Sequence, residues 1–211
     1  MRFLLVIAVL FNLVSCCHRG SNDEMSRFHE DGRIKPTIAI ASMLDSTSFD
    51  ASWSLSEEFT QGVMNLVASS GEVYVRSEQE SPFTENPFSS DLSWMKREFH
   101  SEEFVAFLEL VEHEFAPVKA KGITPQEASS NLNMAVRLRV VDLRSETPKI
   151  VLQEMIRDSY FVPKTLIPCD YSNNVWGTDQ YRKSPMGIAH AQLVQEIAGR
   201  ISDYILLAKS R

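Results

Sequence analysis

The segment that most restricts the fold is LNMAVRLRVVDL, residues 132–143. Leu132, Met134, Val136, Leu138 and Val140 fall on one side of a two-residue period, and Asn133, Ala135, Arg137 and Arg139 on the other. That alternation predicts a strand with one buried and one wet face. Residues 144–148, RSETP, make a turn, and KIVLQEMIRDSY (149–160) pairs back as the second arm of a β-hairpin. Upstream, FVAFLELVEHEF (104–115) is apolar on both faces in its first half, as a strand inside a sheet is. Three long strands of this kind need helices to cover them.

The helices are marked by their ends. Ser54-Leu55-Ser56-Glu57 is a capping box, and Leu55, Phe59, Val63, Leu66 and Val67 follow at helical spacing. Ser69-Ser70-Gly71 stops this helix, with Gly71 free to take a left-handed turn. TIAIASMLD (37–45) before it and EVYVR (72–76) after it read as strands, which makes a β-α-β unit with parallel strands and a right-handed crossover. Residues 77–91 form a polar loop in which Phe83 and Phe88 act as anchors or as binding residues. A short helix over 92–99 is capped by Asp91. Residues 161–183 are irregular, and Ser184-Pro185 opens a last helix whose apolar stripe runs Met186, Ala189, Leu193, Ile197, Ile201, Tyr204 and Ile205. The expected class is α/β (α+β), with a single mixed β-sheet of about five strands, helices packed on it, and the order β-α-β-α-β-β-β-α.

The beginning of the chain bears on where the protein acts. Arg2 and the apolar run Phe3–Leu13 form the n- and h-regions of a secretory signal. The run is shorter than the roughly 20 apolar residues a spanning helix needs. Leu13-Val14-Ser15-Cys16 resembles the bacterial lipobox. The resemblance implies that Cys16 is lipidated and that the mature chain starts there; a buried N-terminal helix or an unlipidated signal are the alternatives. Residues 1–15 are then a signal peptide, 16–35 the lipidated cysteine with a flexible tether, and 36–211 a single α/β domain. Two acyl chains anchor stably where one does not. Family experience with lipoprotein sorting implies the outer rather than the inner membrane, because Cys17 is not aspartate. Cys17 and Cys169 either pair in an oxidising envelope or stay free.

The local text IAIASMLDST, a capped helix, then SGEVYVR resembles a group of bacterial envelope domains. They include the lipoprotein activators of penicillin-binding proteins, the curli-secretion lipoprotein and the N-terminal domain of TolB. The likeness covers Thr37–Arg76 in text and the remainder in element order. It implies binding of other envelope proteins rather than catalysis. The tether is shorter than the activators' linkers and no pair of amphipathic membrane hairpins is present, so neither an activator nor a pore role carries over.

The chain's formal charge of −7, with scattered bases, argues against nucleic acid as a partner. No Gly-x-Ser-x-Gly, P-loop, His-Glu-x-x-His or Gly-x-Gly-x-x-Gly occurs. Glu109, Glu112, His113 and Glu114 read as a solvated strand end, with a metal or acid–base site as the alternative. His100 with Glu102 and Glu103 reads as a polar turn, and His190 as a partly buried structural histidine. No cofactor and no metal are expected. Trp176 and Tyr181, on a polar irregular segment, read as anchors for a protein partner, or Trp176 as a pin holding that loop to the core. Arg137 and Arg139 read as contacts for an acidic partner or a lipid head group, or as solvating charges.

The sequence therefore predicts a non-enzymatic, lipid-anchored protein of the bacterial cell envelope, an interaction or assembly module. It would touch the membrane through its lipid and bind an envelope protein. A lipid- or lipopolysaccharide-handling assembly lipoprotein and a periplasmic enzyme are the alternatives.

Overall fold

A computed structural model describes residues 27–76, 85–119, 121–122, 124, 127–166 and 175–210. The expected signal, Cys16, Cys17, Cys169 and Phe83 lie outside the described residues. The chain falls into two units, Met1–Lys35 and Pro36–Arg211. In the first, residues 27–35 fold back on themselves. Phe28 and Ile34 form an antiparallel bridge, and Gly32 turns the chain at φ 81°. The Asp31 carboxylate accepts from the backbone and the guanidinium of Arg33. The last part of the expected tether thus carries a local turn, because Asp-Gly supplies both the left-handed residue and the side-chain acceptor.

The second unit is built on one mixed sheet. β1 (Thr37–Ile40) lies parallel to β3 (Tyr74–Arg76) on one side and to β4 (Phe104–Pro117) on the other. β2 (Leu44–Asp45) continues along β4. β5 (Ser130–Asp142) and β6 (Lys149–Val162) follow antiparallel, giving the order β3-β1-β4-β5-β6. The predicted strand 37–45 is split because Met43 leaves the ladder and donates its N–H to Thr60 Oγ1 at 2.9 Å.

Two long helices cover one face of this sheet. α1 (Leu55–Ser69) starts on Ser54, whose hydroxyl accepts the Glu57 N–H at 3.1 Å, and the chain turns away at Gly71, φ 74°. A short helix α2 (Met95–Glu98) replaces the expected 92–99. Asp91 Oδ1 accepts the Ser93 N–H at 2.9 Å, which closes a turn there instead of capping a helix. α3 (Asp179–Arg182) is a single turn, and α4 (Pro185–Lys209) begins on Ser184, which accepts the Gly187 N–H at 3.0 Å. Phe59, Val63 and Val67 of α1 and Leu193, Ile197 and Ile201 of α4 share a core with Leu132, Met134, Val136 and Leu138 of β5. A smaller core fills part of the opposite face, where Trp94, Met95 and Phe99 cover Ala39, Val105, Phe107 and Val141.

Candidate functional site

One irregularity in β4 decides what lies under the helices. Up to Leu110 the even-numbered residues Phe104, Ala106, Leu108 and Leu110 face the larger core. The pairing with β5 then slips, Leu110 opposite Val136 but Glu112 opposite Ala135, so Val111 is an extra residue. A bulge of one residue reverses the alternation beyond it. His113 and Phe115, opposite Met134 and Leu132, turn inward. On an uninterrupted strand His113 would share a face with Glu109. Here Glu109 stays on the other face, paired with Arg137 at 3.3 Å.

Three helices bring partners to His113. Glu58 stands beside Phe59 on the border of α1's inward face. His190 follows the buried Ala189 on α4, and Thr178 caps α3 so that Tyr181 points inward. All four side chains are sealed: Glu58 is 6 % exposed, His113 4 %, Tyr181 3 % and His190 1 %. The Trp53 indole N–H donates to Glu58 Oε2 at 2.7 Å. The Tyr181 hydroxyl donates to Glu58 Oε1 at 2.5 Å. His190 Nδ1 lies 3.0 Å from that same oxygen and 2.8 Å from the Tyr181 oxygen. On its far side His190 Nε2 is 2.8 Å from His113 Nε2. Phe49 packs against His113 with ring centroids 4.2 Å apart, and Phe59 against His190 at 4.8 Å.

These distances fix where the hydrogens sit. The tyrosine hydrogen goes to the carboxylate, so His190 Nδ1 carries a hydrogen and donates to the same acceptor. Burial opposes ionisation of Glu58, but the hydrogen bond and charge of His190, with the Tyr181 and Trp53 donors, outweigh it and hold the carboxyl below its ordinary range. Burial, reinforced by the neighbouring His190, pushes His113 down to about 3. The cluster therefore pairs an ionised carboxylate with a neutral His113. It ties α1, β4, α3 and α4 together around one chain of hydrogen bonds.

Several sequence expectations change here. Tyr181 is not a surface anchor, because its hydroxyl is committed to Glu58 in the core. Trp176 is half-buried and packs against the larger core, as a pin would. Arg139 is buried rather than wet. It donates to the carbonyls of Pro87 at 2.8 Å, Ser89 at 2.7 Å and Phe88 at 3.0 Å, and to Gln153 at 2.8 Å. The 85–91 segment lies over that face of the sheet and takes up the guanidinium. Arg137 keeps 41 % of its side chain exposed. Its guanidinium stands 5.1 Å from the Phe88 ring centroid, on an open cleft of about 320 Å³ shared with Leu44, Asn86 and Glu109. His113 is likewise no solvated strand end, whereas Glu114 and His100 are exposed. The buried cluster joins residues that the sequence kept apart. His190 is marked by its place beside the apolar stripe, and Glu58 only by its place beside Phe59.

Among the described residues no group of three or more side chains is arranged to hold a metal ion, and no helix is long and apolar enough to cross a membrane. No curated protein matches the chain. The fold is shared with the hypothetical protein CT253 of Chlamydia trachomatis, at 21 % identity over 81 % of this chain and 98 % of that one, with a TM-score of 0.66. It is also similar to protein XCC0632 of Xanthomonas campestris, at 7 % identity over 84 % and 90 % of the two chains, TM-score 0.53. More distant likenesses include a minor lipoprotein of Acinetobacter baumannii, at 10 % identity over 81 % and 92 %, TM-score 0.40. The first two are likenesses of fold alone. The family of unknown function DUF7499 matches residues 24–209, and the chain belongs to that family.

Proposed function

We propose that this is a lipid-anchored protein of the bacterial cell envelope whose domain, 36–211, acts as a non-enzymatic interaction or assembly module. The observation that carries the non-enzymatic part is the sealing of Glu58, His113, Tyr181 and His190 in the core. Side chains of catalytic type are gathered there, out of reach of a solute, where they act as ties between elements. The anchor rests on Leu13-Val14-Ser15-Cys16. The membrane is the outer one, in keeping with Cys17 after the acylated residue, and the partner is another envelope protein.

The exposed part of Arg137, with the cleft beside Phe88, is the contact surface this reading favours. A lipid- or lipopolysaccharide-handling role needs free cations on that face. Arg139 directs its donors to Pro87, Phe88, Ser89 and Gln153, and Arg137 is paired with Glu109. The protein-partner reading is therefore the better one.

A photo-crosslinking residue at position 137, in cells supplied with a labelled fatty acid, tests the whole reading. The native chain should take up label, fractionate with the outer membrane and capture an envelope protein. Cys16→Ser should lose both the label and the membrane. Label retained in Cys16→Ser would sink the anchor. Capture of lipid in place of protein would favour the lipid-handling role.

A further inference from the structure

We propose that the His113–His190 contact is a one-proton latch, which holds the Asp179–His190 corner against the sheet and releases it on mild acidification. Two Nε2 atoms 2.8 Å apart require one hydrogen between them, donated by one ring and accepted by the other. With His190 Nδ1 already carrying a hydrogen, a further proton either sets two N–H groups head to head or charges the buried His113 ring at Nδ1. The other nitrogen of His113 offers no relief, since Nδ1 is buried without a hydrogen-bond partner among the described residues. A doubly protonated His113 would be a buried cation, which is costly unless the ring reaches water. The titratable groups facing the pair are Glu58 from α1 and Tyr181 from α3. Glu58 already accepts from Trp53, Tyr181 and His190. Phe49, Phe59 and Met134, which also border the pair, are neutral. The low value of His113, about 3, fits a ring that burial and the neighbouring His190 keep neutral in the closed corner.

The corner is built to move as one piece. The Tyr181 carbonyl accepts from both the backbone and the hydroxyl of Ser184. A side chain at Gly187 would place its Cβ 2.1 Å from that same carbonyl oxygen, so the end of α3 rests directly on the first turn of α4. Beyond His190 the helix is held by Leu193, Ile197 and Ile201, whose packing does not depend on proton count. Opening therefore stops near His190. An imidazole in water titrates near 6.5, so at pH 5 the corner should open about thirtyfold more often than at pH 7.5.

Hydrogen exchange on the full chain tests this, with rates at pH 7.5, 6 and 5 corrected for the intrinsic effect of pH. Amides of 181–190 should lose about thirtyfold in protection by pH 5, through an opening that low urea does not promote and that leaves those of β4 and β5 better protected at every pH. In His113→Gln, whose amide can still donate to His190 but takes no proton, protection of the corner should not change with pH. The latch is refuted if native protection of the corner stays flat, if the corner exchanges only by the urea-dependent opening that frees β4 and β5, or if His113→Gln keeps the fall. Should that variant not fold, nitrogen resonances of the native histidines decide the matter. Protonation of His113 must then track loss of protection in the corner, and a protonated His113 beneath a protected corner would refute the latch.

Discussion

Glu58 receives hydrogen bonds from Trp53, Tyr181 and His190, so its charge is fully engaged although it lies in the core. Removing one partner of such a buried set costs more than a surface pair, on the order of 3–5 kcal/mol, because the rest is left uncompensated. Glu58→Ala should lower the unfolding free energy, read from urea titration, by an amount in that range, and a loss under about 1 kcal/mol would show that the cluster does not hold the fold. The pH dependence has a definite sign. His113 titrates at about 3 in the folded chain, below its ordinary 6.5. The unfolded chain thus binds the extra proton first, and stability is full above pH 6.5 and falls as pH drops from there toward 3. At pH 5 the loss is about 2 kcal/mol. Glu58, also held low, adds a loss of the same sign below its ordinary 4.5. Urea midpoints between pH 8 and pH 4 should show this slope, and His113→Gln should remove the part above pH 5.

Strand β4 shows how one extra residue redirects a whole arm. With Val111 deleted, Glu112 would follow Leu110 directly, and strict alternation would keep His113 and Phe115 inward, opposite the same residues of β5, without a bulge. The deletion should therefore cost no more than about 3 kcal/mol, through closing the bulge, and Val111→Ala, at a half-buried position, under about 1 kcal/mol. Loss of a cooperative thermal melt in the deletion would mean that Val111 is not the extra residue and that the arm beyond it does not keep its pairing with β5. The strands and long helices were legible because their signals are local: alternation in 132–143, the Ser54 and Ser184 caps, and the Gly71 stop. The bulge leaves no such mark, since no glycine or proline stands at 110–112. Arg139 looked wet because alternation names a face without saying what comes to lie over it. The 85–99 segment does so, from some fifty positions away, as the bonds to Phe88 and Ser89 span 51 and 50 residues. Tyr181 misled for the same reason: its neighbours are polar, and the groove it fills is made by α1 and α4.

At the scale of the whole chain, the cores on the two faces of the sheet are both built from residues after Pro36. The turn at 27–35 closes on its own hydrogen bonds, Lys35 N–H to the Arg27 carbonyl among them. A chain starting at Pro36 should therefore unfold at the same urea concentration as one starting at His18. A large drop on truncation would show that the leading segment contributes to the domain. The buried cluster also imposes an order in time. Glu58 and His190 are separated by 132 positions, and Glu58 and Tyr181 by 123. A ribosome adding about 5–20 residues each second leaves the carboxylate waiting on the order of 10 s for its partners. During that wait Phe59, Val63 and Val67 have no α4 to lie against. The half-made protein thus presents an apolar helix with a charge at its edge, a handle for any chaperone at the tunnel exit. Packing of α4 withdraws that handle, and for an exported chain this waits until the whole of it has crossed the membrane.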